Sequence, residues 1–458
     1  MPKLSVSAKS SVRDMTTGSI CGQILMFSLP LMLGNIFQML YNTVDSIVVG
    51  NYVGTEALAA VGSTTMIVNI LVFFFNGFSI GAGVVISNLF GAQDMDKLHK
   101  AVETTIASTF LLSILFTVCG VATVPFMLRF MSTPDDVFEP ACTYLRIYIG
   151  GISGLLIYNM GSGILRAVGD SVHPLYFLIL TSVLNIVLDL VFVLVIPWGI
   201  AGVALATIIS QFISAFLILL LLSRSKDVYR LTWHDLQLDW GILRNIFSVG
   251  LPAAIQSVIT AFSNVFVQSY INVFGSSCMA GWSCYNKLDQ FIMLPMQSMA
   301  MAATTFVSQN IGAGKNERAN RSTFITVGLS VGVTLAIVAV LCIWAAPAVG
   351  LFTSDSTVIE YGVLFIRANC FFLACNCVNH VLAGSLRGRG DSTGPMVIML
   401  LGFVAIRQTY LYVVTHFIDN TPFLVGFGYP VGWVSCCIIE LSYYFIKMKR
   451  IKKSAFAG

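Results

Sequence analysis

Long apolar stretches alternate with short polar connections along almost the whole chain. The hydrocarbon core of a bilayer is about 30 Å thick, so a helix that crosses it needs about 20 predominantly apolar residues. Twelve segments meet this requirement: 24–49, 58–88, 102–130, 143–164, 174–197, 200–223, 244–272, 278–308, 322–350, 361–384, 395–416 and 424–446. The pattern predicts an all-α integral membrane protein with twelve transmembrane helices.

The composition supports a membrane location for these helices. Of the 458 residues, 57% are hydrophobic and only 10% are charged, whereas soluble domains carry about 25% charged residues. A soluble surface so poor in charge would aggregate, so the outer faces of the helices must meet lipid. The cysteines lie in apolar stretches without the spacing of a metal site. The Cys375-Asn-Cys377 pair could bind a soft metal, but we expect neither a resident metal nor a cofactor.

Lysine and arginine residues mark the loops that face the cytoplasm. All but five of the 25 lie in the two chain ends or in the loops on the same side of the membrane. The five exceptions lie inside helices or near their outer ends: Arg129, Arg146, Lys287, Arg367 and Arg407. We therefore predict a multi-pass protein of the cell membrane with both ends in the cytoplasm. The polar first segment is expected to be an uncleaved tail and not a signal peptide.

The two halves of the chain repeat each other. The motif GxLRxxGDSxxP occurs at 163–174 and again at 384–395, and every residue that the two copies share keeps the same offset in numbering. Pro30 and Pro252 pair within one position of that offset. Two homologous halves with six helices each have the same orientation in the membrane, so we expect a pseudo-two-fold axis along the membrane normal.

These observations also predict the domain boundaries. We assign a cytoplasmic N-terminal tail to residues 1–23, a six-helix lobe to 24–223, a cytoplasmic linker to 224–243, a second six-helix lobe to 244–446 and a basic cytoplasmic tail to 447–458. The linker is the longest connection and lies at the midpoint of the chain.

Ionisable groups inside spanning helices are costly and are functional candidates by default. Asp45 follows Tyr41 by one helical turn, and Asp189 follows Asn185 by one turn. Each spacing places two oxygen-bearing side chains on one face of a helix. Such oxygens could bind a hard cation such as Na⁺, could carry a proton on a desolvated carboxylate, or could clamp two helices together as packing contacts.

The second half of the chain contains other candidates. Lys287 and Asp289 are two residues apart in one predicted helix, where they either neutralise each other or line a cavity. Signatures of catalysis are missing from the sequence. The phosphate-binding pattern G-x-x-x-x-G-K-[ST] fails because Gln309 stands where its first glycine belongs, and neither HExxH nor GxSxG occurs. The chain is therefore predicted not to be an enzyme.

Three motifs resemble those of the multidrug and toxic compound extrusion (MATE) family. They are SLPLMLGNIFQMLYNTVDSIVVGNYVG at 28–54, ISNLFGAQDMDKLHKA at 86–101 and the doubled GxLRxxGDSxxP. The similarity covers almost the whole chain. It implies two six-helix lobes that export organic, often cationic, compounds by alternating access, in exchange for inward H⁺ or Na⁺.

The resemblance also implies a cation or proton site in the first lobe. The DinF-like pattern places a Tyr, an Asn, two Asp, another Asn and a Thr on helices 1, 4, 5 and 6. The matching residues in this chain are Tyr41, Asp45, Asn159, Asn185, Asp189 and Thr207. The NorM-like branch instead carries a Glu on helix 7 and an Asp on helix 10. In this chain the Glu position falls at about Thr260 and the Asp position at Asn376. That departure argues against an ion site of the NorM-like kind.

The sequence as a whole predicts a secondary antiporter for amphipathic, often cationic, organic molecules. The alternative is a flippase of the same superfamily that moves lipid-linked oligosaccharides. Such a flippase would line its cavity with many basic residues to hold phosphate, and this chain has few basic residues in its spanning helices. The expected partners are small organic substrates and membrane lipids. We expect no nucleic acid partner, a monomer, and no cofactor other than the coupling ion, H⁺ or Na⁺.

Overall fold

The described part of the chain is helical throughout and contains no β-strand. The computed structural model describes residues 12–131, 133–227 and 229–457. In chain order, helices α1 to α17 are Ile20–Val48, Thr55–Ala92, Met95–Phe130, Asp135–Gly150, Ile152–Ala167, Val172–Leu190, Gly199–Arg224, Trp240–Asn272, Ser276–Gly312, Asn316–Ile343, Ala345–Gly350, Ser356–Asn369, Leu373–Gly388, Thr393–Met399, Arg407–Val413, Pro422–Gly426 and Gly428–Ala457.

Many of these helices are long and apolar enough to cross a membrane. Within the described residues, 11 continuous helices qualify, and α4 with α5 forms a further pair that is bent by 44°. Counting that bent pair as one span gives the predicted twelve. The bend falls at Gly151, where there is no side chain to hold the two segments in line. The predicted all-α membrane fold is confirmed.

Short segments of non-α geometry interrupt several spans. In the described part of the chain, four π-helices extend or join α-helices, at Val49–Val53, Val191–Val195, Leu400–Ile406 and Val414–Ile418. A 3₁₀ turn at Cys370–Phe372 separates α12 from α13 inside one span. Because a π-turn bonds residue i to i+5, it accommodates more residues per turn than the α-helix, and such turns are frequent at functional sites.

The described chain divides into two compact units. The N-terminal unit comprises Pro30–Leu251 and the described residues before Thr16, and the C-terminal unit comprises Thr16–Leu29 and the chain from Pro252 onward. The divisions fall at Pro30 inside α1 and at Pro252 inside α8. This is a grouping of segments by packing, and the boundaries predicted along the chain, 24–223 and 244–446, stay a prediction.

The two units contain repeat-related close contacts. A Cβ on Gly163 of α5 would lie 2.5 Å from the Ser79 hydroxyl of α2. A Cβ on Gly384 of α13 would lie 2.4 Å from the Ala300 carbonyl of α9. Both members of the second pair keep the offset of the doubled motif from those of the first, so each glycine allows the same two helices of its repeat to approach closely.

The doubled motif forms the same turn in each unit. Gly169 and Gly390 have φ values of 89° and 81°, a conformation that favours glycine. The next residue caps the following helix: Asp170 Oδ1 accepts the Val172 and His173 N–H groups, and Asp391 Oδ1 accepts the Gly394 N–H. The Gly-Asp pair in the motif is thus explained by turn geometry and helix capping.

Candidate cation site

The N-terminal unit brings together two carboxylates from helices that are far apart in sequence. Asp45 lies in the last turns of α1, and Asp189 is the penultimate residue of α6. Their carboxyl groups interact with each other. Each helix widens into a π-helix directly beyond its acid, at Val49–Val53 and at Val191–Val195. Because Asp189 is fully buried and Asp45 is partly buried, the pair lies inside the helical unit.

Several polar atoms of this pair have no partner outside the pair. Asp45 Oδ1 and both carboxylate oxygens of Asp189 are buried, and apart from the contact between the two carboxyl groups they have no hydrogen-bond partner among the described residues. Both amide atoms of Asn185, one turn before Asp189, are in the same condition. A buried polar group without a partner costs roughly 1–3 kcal/mol, and more when it is charged. The arrangement is therefore one that a bound proton or metal cation would stabilise.

Tyrosine side chains surround the two acids. The Tyr41 phenol is an electrostatic neighbour of Asp45 and of Tyr148, and it is hydrogen-bonded to Gln38. Tyr144 lies near both carboxylates, and its ring stacks on that of Tyr148 with centroids 6.2 Å apart. Neutral oxygens around a carboxylate pair match the ligand preference of hard cations. They also form a medium of low polarity in which a carboxylate tends to hold a proton.

Two predicted site residues are anchored to their own helices. Asn159 donates its side-chain N–H to the Leu155 carbonyl at 3.0 Å, and the Thr207 hydroxyl donates to the Val203 carbonyl at 3.1 Å. Within the described residues neither makes a hydrogen bond to Asp45 or Asp189. Their oxygens keep lone pairs for a ligand, but the protein contacts do not join them to the carboxylate pair.

Sequence reasoning missed three side chains of this cluster. Tyr144 and Tyr148 belong to α4, and Gln211 of α7 lies beside the Tyr148 phenol. The two tyrosines are four residues apart, so they form a polar stripe on one face of their helix. That stripe was the available signal, but nothing in the sequence connects it to helices α1 and α6.

In the C-terminal unit, Lys287 and Asp289 do not pair. Lys287 is exposed, and its ammonium group lies 5.2 Å from the centre of the Phe352 ring. Asp289 Oδ1 is buried and receives no hydrogen bond from the described residues. Its electrostatic neighbours are the phenols of Tyr285 and Tyr429. The carboxylate of Asp289 thus faces the interior of the unit, where aromatic side chains surround it.

The two positions that depart from the NorM-like pattern make ordinary contacts. The Thr260 hydroxyl donates to the Gln256 carbonyl at 2.8 Å, within its own helix. The Asn376 amide donates to the Met293 sulfur at 3.4 Å. Neither position supplies a carboxylate.

The chain matches known proteins along nearly its whole length. The sequence profile of the MatE family matches it twice, at residues 30–191 and 252–413. It is 29% identical over 444 residues to the probable multidrug resistance protein YpnP of Bacillus subtilis, covering 96% of this chain and 98% of YpnP. It is 22% identical over 409 residues to the multidrug export protein MepA of Staphylococcus haemolyticus, covering 88% of each.

Solved structures show the same fold. A MATE crystal structure in the bent conformation superposes with a TM-score of 0.92 at 23% identity, covering 98% of this chain and 99% of that one. An outward-facing multidrug resistance MATE family transporter of the MOP superfamily superposes with a TM-score of 0.91 at the same identity, covering 98% and 100%. At this identity the likeness establishes the fold alone.

Proposed function

This chain belongs to the MatE family, and from that premise we propose how its structure drives export. It is a transporter and not an enzyme, a secondary antiporter for multidrug efflux that crosses the membrane many times. Its substrates are small organic molecules. We propose that they are amphipathic and often cationic.

We propose that Asp45 and Asp189 bind the coupling cation. One observation carries this proposal: three buried carboxylate oxygens, on two helices, have no protein donor. Two carboxylates so close together repel each other when both are ionised. Binding of H⁺ or Na⁺ removes that repulsion and lets α1 and α6 come together around the neutralised pair.

The cation transmits energy because it binds one state of the protein better than another. A ligand shifts a conformational equilibrium only by its difference in affinity for the two states. One inward positive charge gains about 2.3 kcal/mol per 100 mV of membrane potential. Inward movement of one cation can therefore expel an uncharged compound against its gradient, provided that the cation is released on the cytoplasmic side. For a compound with one positive charge the exchange moves no net charge, and the concentration gradient of the coupling cation drives it.

The remaining predicted site residues take supporting roles in this proposal. Tyr41, Asn185, Asn159 and Thr207 supply neutral oxygens to the cation, and Asp289 with Lys287 lines a polar region of the C-terminal unit. Both chain ends are placed in the cytoplasm, the protein works as a monomer, and lipid covers its outer faces. No cofactor is needed besides the cation.

Reconstituted vesicles test the coupling directly. The full chain is placed in vesicles loaded with a fluorescent organic cation that is shown to be a substrate in cells. A Na⁺ gradient and a pH gradient are then imposed separately. We expect one of them to drive the dye in exchange, and Asp189→Asn to abolish that movement. If neither gradient moves the dye through the wild-type protein, the coupling proposal is wrong.

A further inference from the structure

The repeat relates the candidate cation site to a defined place in the C-terminal unit. Gly54 and Gly275 keep the offset of the doubled motif, whereas Pro30 and Pro252, earlier in the same span, are one position further apart. The π-helix Val49–Val53 lies between Pro30 and Gly54, and a π-turn changes the register by one residue. Residues of α1 that precede this π-turn therefore follow the offset of the two prolines, which is larger by one than the offset of the doubled motif. Tyr41 therefore corresponds to Ser263, and Asp45 corresponds to Val267.

The second helix of the site is related in the same way. Pro174 and Pro395 keep the offset of the doubled motif. The π-helix Leu400–Ile406 follows in the C-terminal unit and accommodates one more residue. The two family matches are equally long and end at residues 191 and 413, which agrees with an offset that is larger by one beyond this turn. Asn185 therefore corresponds to Arg407, and Asp189 corresponds to Leu411.

Arg407 joins the two helices at this place. Its guanidinium donates a hydrogen bond of 2.5 Å to the hydroxyl of Ser263, and Ser263 is the residue that corresponds to Tyr41. It also lies 5.0 Å from the centre of the Tyr429 ring, a distance at which cation–π attraction operates. Arg407 is 1% exposed, and no carboxylate of the described residues forms an ion pair with it.

The Ser263 hydroxyl makes as many hydrogen bonds as a hydroxyl group can. It donates to the Phe403 carbonyl at 2.7 Å and accepts from Arg407 and from the Gln408 amide. The corresponding place in the N-terminal unit differs, because the polar side-chain atoms of Asn185 and Asp189 have no hydrogen-bond partner among the described residues other than the Asp45 carboxyl group, which contacts Asp189. One repeat leaves polar atoms that a cation would satisfy, and the other already contains a positive charge.

We propose that Arg407 acts as a tethered cation, holding α8 and α15 together permanently as the coupling cation holds α1 and α6 together reversibly. A guanidinium is not deprotonated in proteins, so its charge stays at this place throughout the transport cycle. The C-terminal unit therefore takes up no coupling cation here, and cation binding acts on the N-terminal unit. This inference rests on the proposed coupling site.

Charge and hydrogen bonding at Arg407 are separated by two variants. Arg407→Lys keeps the positive charge, and Arg407→Gln keeps a hydrogen-bond donor without it. Amide hydrogen exchange is measured on the full chain in lipid, with and without Na⁺ and at two pH values. Arg129→Gln, which removes an exposed arginine from the end of α3, serves as the matched control.

We expect exchange in α1 and α6 to slow when the cation binds, while α8 and α15 show no response in the wild type or in Arg407→Lys. In Arg407→Gln, exchange in α8 and α15 should rise about tenfold or more, since a hydrogen bond to a charged group is stronger than a neutral one. A cation response of α8 and α15 equal to that of α1 and α6 would overturn the inference. So would an Arg407→Gln protein that exchanges as slowly as the wild type.

The outcome for the coupling proposal is read separately. If α1 and α6 do not respond to either cation, the coupling site is misplaced, whatever the Arg407 variants show. If they respond and Arg407→Gln leaves α8 and α15 unchanged, only the tethered cation is refuted.

Discussion

Helices α1 and α6 of the N-terminal unit carry Tyr41, Asp45, Asn185 and Asp189, whereas the corresponding helices of the C-terminal unit carry Ser263, Val267, Arg407 and Leu411. Both units keep the glycine contacts and the capped turn of the doubled motif. The shared features are those that packing needs. The features that differ are charges inside the membrane, which packing does not need and which are costly to keep.

The difference shows how a duplicated fold can divide its tasks. A cation site in each unit would let the protein bind two coupling cations. With one site open and the other closed by an internal charge, the protein responds to a single binding event. A charge that is covalently attached holds its helices without dependence on the cation concentration.

The largest effect is expected from removing the negative charges of Asp45 and Asp189, the candidate cation site of the N-terminal unit. Asp189→Asn and Asp45→Asn should each reduce export to the level of cells without the transporter, because an amide keeps the volume but cannot exchange a cation or a proton. Drug resistance in an efflux-deficient host measures the loss, and membrane insertion of each variant is checked by its amount in the membrane fraction. Full export by both variants would contradict the assignment.

Introducing an arginine into the N-terminal unit at the position that corresponds to Arg407 should have nearly as strong an effect. Asn185→Arg places a guanidinium beside Asp45 and Asp189, as Arg407 stands in the other unit. We expect a folded protein whose thermal stability no longer responds to Na⁺ and which does not export. Asn185→Gln, which adds length without charge, is the control. Export by the arginine variant at the wild-type rate would show that the N-terminal unit does not need a mobile cation.

A smaller effect is expected at Asp289, an acid of the C-terminal unit. Asp289→Asn should lower export partially, because Asp289 is an ionisable group inside the C-terminal unit but lies in α9, which corresponds to neither α1 nor α6. Asn376→Ala should be milder still, since that side chain makes one weak contact to Met293. Initial rates of dye export from vesicles distinguish the two. Complete loss of export in Asn376→Ala would move the coupling site to the C-terminal unit.

The smallest effect on export is expected at the shared turn. Burial opposes ionisation of Asp391, but hydrogen bonds from Lys447, Gly394 and Tyr443 outweigh it and hold the pKa of this carboxyl below its ordinary value. Asp391→Asn should lower the free energy of unfolding by about 1–2 kcal/mol and leave the coupling mechanism intact.

The pH dependence of that stability follows from the lowered pKa. The contribution of Asp391 is present above about pH 4, the ordinary range of an aspartate, and it is lost as the pH falls through the pKa of the folded protein. Thermal unfolding of wild type and Asp391→Asn in detergent should therefore converge at low pH. A constant difference between the two at every pH would contradict this role.

Much of the fold could be predicted from the amino-acid sequence. The number of spans, the helical class and the repeat depend on the length of apolar runs and on matching motifs, which are local properties. The pairs Tyr41 with Asp45 and Asn185 with Asp189 were also predictable, because one helical turn puts residues four apart on the same face. The resemblance of the motifs added Asn159 and Thr207, whose part in the site stays a prediction.

Tertiary structure decided which of these faces meet. Tyr144, Tyr148 and Gln211 join the acids only because α4 and α7 pack beside α1 and α6. Ser263 and Arg407 are far apart in the chain and come into contact only in the folded unit. Apolar runs set how many helices form, but the rotation of each helix against its neighbours depends on side-chain packing across the whole unit. That rotation selects which buried charges find a partner and which remain available to a cation.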